Sequence, residues 1–165
     1  MSLAAKRGAL VCFCVAAVAA AGCAASPTSP SASPSGTLAS SASPRSGNLH
    51  VIKDCNNTYQ GQAGDFCTIT ASNLDAIKGS KITYAHAADF ATLTLASDIV
   101  LNAPGPGNNL AFGHCSLSLA TGAGRCTFSG GTGKFTHFQG VVDVSPAQTA
   151  GFFAWDGTYS FSPND

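Results

Sequence analysis

The sequence predicts an all-β protein: a single antiparallel eight-stranded barrel with Gly/Pro-rich turns, set after a disordered linker. Three observations carry the prediction. From residue 48 onward, apolar and polar side chains alternate in short runs with a period of two. Turn formers separate the runs, as in APGPGNN (103–109) and TGAG (121–124). Gly113, Gly140 and Gly157 fall inside runs, where glycine relieves curvature or admits a neighbouring backbone. Repeated curvature favours a small closed barrel over a flat sandwich, and closure leaves no strand edge exposed.

Residues 1–22 read as an export signal. Lys6 and Arg7 are followed by an uncharged apolar stretch to Ala21, shorter than the roughly 20 residues a spanning helix needs. Ala20-Ala21-Gly22-Cys23 resembles the lipobox of bacterial lipoproteins, with Ala20 where that motif usually carries Leu. The resemblance implies cleavage before Cys23, acylation of its sulfur, and attachment through lipid to the outer face of the cell membrane. Cleavage after Ala24 or Ala25 would instead release a secreted protein. Residues 23–47 form a Ser/Pro/Ala linker in which Arg45 is the one charge and Leu38 the one large apolar side chain. Such a segment has nothing to bury and is expected to act as a disordered or extended spacer.

The barrel domain is expected over 48–165. NLHVIKD sets Leu49, Val51 and Lys53 on one face against His50 and Ile52. DFCTIT and SKITYAHA follow. SNLDAIKG, with Ser72 as cap and Gly79 as stop, predicts a helical turn or two. ATLTLASDIVL places Leu93, Leu95, Ile99 and Leu101 together. LAFGHCSLSLA groups Cys115, Leu117 and Leu119, and its pattern changes face near Gly113, which predicts a bulge there. RCTFSG runs back after TGAG. HFQGVVDVS groups Phe138, Val142 and Val144. GFFAWDGTYSF sets Phe153, Trp155, Tyr159 and Phe161 opposite Ala154, Asp156, Thr158 and Ser160.

Within the domain five basic side chains face eight aspartates, net −3 with His neutral, and the basic residues are scattered. Nothing suggests a nucleic-acid footprint. Cys55, Cys67, Cys115 and Cys126 are an even set in an exported chain, so disulfides are expected. Of the three pairings, the sequence-local one, Cys55–Cys67 and Cys115–Cys126, is favoured. There is no CxxC and no His at ligand spacing, so no metal and no cofactor are expected.

CTFSGGTGKF (126–135) poses a choice between a phosphate loop and a turn. A Walker loop needs Gly at the position Phe128 holds, Ser or Thr where Phe135 stands, and a following helix; the chain continues as strand. The stretch therefore reads as a turn, and no nucleotide partner is expected. FGHC, TGAGRCTFSGGTGKFTHF and FAWDGTYSF together resemble exported bacterial proteins with an allene-oxide-cyclase-like barrel, the fold shared with plant dirigent proteins. The resemblance implies an eight-stranded barrel. It carries over no catalytic residue, because the cyclase's catalytic positions find no match here.

Candidate chemistry is sparse. GxSxG is absent. His50 and His86 look isolated, His137 is expected to point outward, and His114 could line a barrel mouth. Asp98 and Asp156 sit opposite apolar faces and are expected in solvent. If the barrel leaves a cavity, Leu110, Phe112, His114, Phe153, Trp155 and Tyr159 would line it, and an apolar cavity suits a small apolar ligand. The leading functional expectation is a membrane-anchored binding or interaction module. An isomerase or cyclase, by resemblance, and a structural envelope protein are the alternatives.

Overall fold

In a computed structural model the chain is described over residues 45–162. The stretch read as an export signal, Cys23 and nearly all of the stretch read as a linker lie outside the described residues. Eight strands form one closed sheet: β1 (Ser46–Asp54), β2 (Phe66–Ser72), β3 (Lys81–Tyr84), β4 (Thr94–Asn102), β5 (Leu110–Ser118), β6 (Gly124–Gly131), β7 (Phe138–Pro146) and β8 (Phe152–Phe161). Each pairs antiparallel with its chain neighbours, and β1 closes on β8 from Ser46↔Ser160 to Asp54↔Phe152. This is the predicted barrel in up-and-down order.

The alternation read from the sequence sets the interior. Leu49, Val51, Ile69, Ile82, Leu95, Ile99, Leu101, Val142, Val144 and Trp155 are all at most 2 % exposed. Burying a side chain of this size is worth about 1.5–3 kcal/mol. Leu93 departs from the expected face. It lies just ahead of β4 with positive φ, 55°, and is 47 % exposed, because the strand begins only at Thr94.

Two strand glycines flank one ring, and one of them leaves no space for a side chain. The paired residues across β5, β6 and β7 include Gly113↔Phe128 and Phe128↔Gly140. A Cβ on Gly113 would meet the Phe128 ring at 3.0 Å and collide with the Thr127 carbonyl oxygen, whereas one on Gly140 would sit 3.4 Å from the ring. Large and small side chains thus alternate round the barrel, as a tapered interior requires.

The barrel's two ends differ. The β2–β3, β4–β5 and β6–β7 connections gather at one end, and two 3₁₀ turns, Asp75–Ile77 and Gly133–Phe135, push Ile77 and Phe135 into it, each at most 1 % exposed. The first is the short helical turn predicted. Ser72 serves it from outside, its Oγ accepting from Leu74 N–H at 3.0 Å. The second turn settles GGTGK. Lys134 Nζ donates to the Pro104 carbonyl at 3.1 Å, Thr132 Oγ1 to the Asn108 carbonyl at 2.6 Å, and Lys134 N–H to Asn109 Oδ1 at 3.2 Å. The groups a phosphate loop would offer are spent on the chain's own carbonyls and on Asn109. The other end, formed by the β1–β2, β3–β4, β5–β6 and β7–β8 connections, is the open one.

Both favoured disulfides are present. Cys115–Cys126 bridges directly paired residues of β5 and β6, and Cys55–Cys67 ties the end of β1 to β2. The outer face carries the ion pairs. His50 Nδ1 lies 2.5 Å from Asp156 Oδ1, Asp156 pairs across to Asp143, and Arg125 Nε donates to Asp143 Oδ1 at 2.8 Å. His114 Nδ1 meets Asp98 Oδ1 at 2.9 Å. Asp98 and Asp156 are in solvent as expected, and His50 has a partner that sequence distance concealed.

Candidate functional site

The open end holds a pocket of about 100 Å³. Its walls are apolar: Leu95 of β4, Leu117 of β5, Leu119, Phe153 of β8 and the Cys55–Cys67 disulfide. A cavity of this order admits several heavy atoms, a little less than a benzene-sized guest.

Lys53 is the chemical centre. The alternation that buries Leu49 and Val51 continues one step further along β1 and turns a lysine inward, leaving it 2 % exposed. The register shifts here. Ile52 pairs with Ala71 but Lys53 with Ile69, so Thr70 of β2 is bulged out opposite Lys53. Bulges next to sites re-aim side chains.

Around Lys53 Nζ the neighbours are aromatic. It donates to Tyr84 Oη at 2.5 Å and lies 4.9 Å from the Trp155 ring centroid, 5.2 Å from Tyr84 and 5.6 Å from Phe153. Among the described residues the ion pairs are His50–Asp156, His114–Asp98 and Arg125–Asp143, and none involves Lys53. A buried ammonium without a carboxylate is costly, and such a group loses its proton instead. Burial accordingly pushes the Lys53 amine down from 10.5 to about 7.

Tyr84 and Tyr59 complete the polar set. Their rings meet edge to face at 5.0 Å. Burial holds the Tyr84 phenol protonated by raising its pKa, and burial followed by the nearby Asp65 carboxylate does the same for Tyr59. Tyr59 Oη is buried and has no hydrogen-bond partner among the described residues. The loop that carries it is tied by Asp65, whose Oδ2 accepts from Gln60 N–H at 2.6 Å and Gln62 N–H at 2.9 Å. These backbone donors, Gln62 foremost, hold the Asp65 carboxyl below its ordinary range.

Of the residues expected from sequence to line a cavity, Phe153 does so, and Trp155 sits behind Lys53 with its indole Nε1 buried and unpartnered among the described residues. Tyr159 packs lower in the barrel, stacked on Phe138 with centroids 6.3 Å apart. Leu110, Phe112 and His114 are not part of the pocket. Leu110 begins β5 at the closed end. Phe112 is 41 % exposed and His114 faces Asp98 outside, because the bulge predicted near Gly113 lies on β6. Alternation along β5 therefore runs unbroken, with Ala111 and Cys115 buried and Phe112 and His114 outward. Sequence reasoning missed Lys53, Tyr59 and Tyr84 as a group. The signal for Lys53 was a charge on the inward face of an otherwise apolar strand.

Fold and site together define an up-and-down β-barrel with an apolar, lysine-bearing pocket at its open end. No protein-family model, no curated protein and no solved structure matches the chain.

Proposed function

We propose that the protein is an exported lipoprotein, anchored through Cys23, whose barrel binds a small apolar molecule bearing an oxygen head group at its open end. The observation that carries the binding reading is Lys53, an amine enclosed by apolar and aromatic walls beside Tyr84 and without an acidic partner among the described residues. Burying a lysine this way works against folding, so stability alone does not account for it. The anchor reading is supported by the order of basic, apolar and small residues before Cys23 and by the Ser/Pro spacer after it.

Trp155 is the one tryptophan of the chain, and its ring lies beside Lys53, so its emission reports on the pocket. Short alkyl ketones and alcohols should change that emission saturably, and Leu117→Phe, which narrows the pocket, should weaken the response. A response unchanged in Leu117→Phe, or no response across the series, would remove the reading. For the anchor, labelled palmitate should enter the wild-type protein and not Cys23→Ser; label retained by the variant excludes the lipobox.

The isomerase alternative draws on the same lysine, since an amine titrating near 7 suits a general base. Loss of a proton-exchange activity toward apolar ketones in Lys53→Met would be its mark.

A further inference from the structure

We propose that Lys53 captures small apolar aldehydes or ketones covalently, its amine condensing with the carbonyl to form an imine inside the pocket. The inference rests on the reading of the open end as a ligand pocket and names the reactive group of the ligand.

Three features of the site support it. The amine lies within an apolar enclosure large enough for a short chain, so the carbonyl carbon of a bound guest is held against Nζ rather than diffusing to it. Tyr84 Oη is 2.5 Å from Nζ, in position to pass protons between the nitrogen and the departing oxygen. Tyr59 Oη, buried and unpartnered among the described residues, lines the same pocket and offers a donor to the carbonyl oxygen.

The step balances without an added oxidant or reductant. The nitrogen lone pair attacks the carbonyl carbon, and the C–N bond forms as the C=O π pair moves onto oxygen. Two hydrogens from nitrogen leave with that oxygen as water, and the C=N bond remains. The free-base amine this requires is the form favoured by desolvation of Lys53, and exposed lysines lack it near neutral pH. A carboxylate ligand fits less well. It would require a charged Lys53 and carry a second charge into the same apolar walls, where desolvation offsets the attraction.

The test uses the full chain with butanal and cyanoborohydride at about pH 7.5, conditions in which exposed lysines are almost wholly protonated. In parallel, butan-1-ol, which cannot condense, is titrated against Trp155 emission. The expected result is butylation of one lysine besides the α-amine, mapped by peptide mass spectrometry to Lys53 and at least about tenfold above Lys78, Lys81 or Lys134. Lys53→Met should lose that modification and leave the faint labelling of Lys78, Lys81 and Lys134 as in the wild type. Labelling spread evenly over the lysines overturns the imine. A saturable butan-1-ol response without Lys53 labelling overturns the imine and leaves the pocket reading standing. Neither labelling nor a response overturns both.

Discussion

Replacing Lys53 with methionine should make the protein more stable. Methionine keeps the unbranched shape and removes the buried amine. With a folded pKa of about 7 against 10.5 unfolded, stripping the proton at pH 7 costs about 5 kcal/mol. The variant escapes that cost. Against it stands Tyr84 Oη, which loses the Nζ contact at 2.5 Å, and leaving such a buried group unpaired costs about 1–3 kcal/mol. The net is a gain of about 2–4 kcal/mol, or roughly 8–16 °C in Tm for a domain of this length.

The pH dependence follows with a definite sign. Because the folded pKa is depressed, the unfolded chain binds the extra proton between 7 and 10.5, so wild-type stability rises through that window. The slope approaches about 1.4 kcal/mol per pH unit. Above about pH 10 the raised phenols of Tyr59 and Tyr84 act in the opposite sense, since the unfolded chain ionises there and the folded one does not. Urea unfolding of both proteins at pH steps from about 6.5 to 9.5 separates the terms: wild type climbs, Lys53→Met stays comparatively flat, and the curves converge toward alkaline pH. A wild-type curve without that climb, together with a less stable variant at pH 7, would show that the Lys53 amine keeps its charge and its water, and the site would lose its chemical basis.

Other consequences can be checked separately. Gly113→Ala drives a Cβ into the Thr127 carbonyl and should cost about 1–3 kcal/mol, while Gly140→Ala makes ordinary contacts and should be nearly neutral, as denaturant midpoints will show. Cys115→Ala with Cys126→Ala removes a fully buried cross-strand bridge closing a short loop and should cost about 2–4 kcal/mol. Asp65→Asn should loosen the loop that presents Tyr59, read as faster amide exchange at Gln60 and Gln62 and a weaker butan-1-ol response, with the barrel's melting transition still cooperative. Acid should mimic that variant, because a depressed carboxyl contributes stability above about pH 4 and loses it as the pH falls through its folded pKa.

How much of this was legible in the sequence depended on the range of the interaction. Strand identity, the wrapped sheet and the pairing of Cys115 with Cys126 follow from period-two patterning and local turns, which act over a few residues. Where a bulge falls does not. The change of face near Gly113 correctly marked an irregularity, but whether β5 or β6 holds the extra residue is set by cross-strand packing. That choice moved Phe112 and His114 to the outer surface. Likewise His50 and Asp156 are far apart in the chain and adjacent in the barrel only because β1 closes on β8.

The pocket shows the same division between local and distant signals. Lys53 was visible as a member of the inward set with Leu49 and Val51, and alternation alone would have left it the odd residue of an apolar face. What turns that oddity into a site comes from elsewhere in the chain: Tyr84 from β3, Phe153 and Trp155 from β8, and Tyr59 from a loop held by Asp65. At the closed end the chain resolves a comparable problem differently, matching Lys134 and Asn109 to backbone partners and filling the interior with Phe135 and Ile77. At the open end the amine has one phenol for company, and Tyr59 Oη has no partner among the described residues. A lysine needed only to close the barrel would gain from a carboxylate beside it or from replacement by an apolar side chain. Among the described residues Lys53 has neither, and the reactivity toward a carbonyl proposed for its amine is the property that either change would abolish.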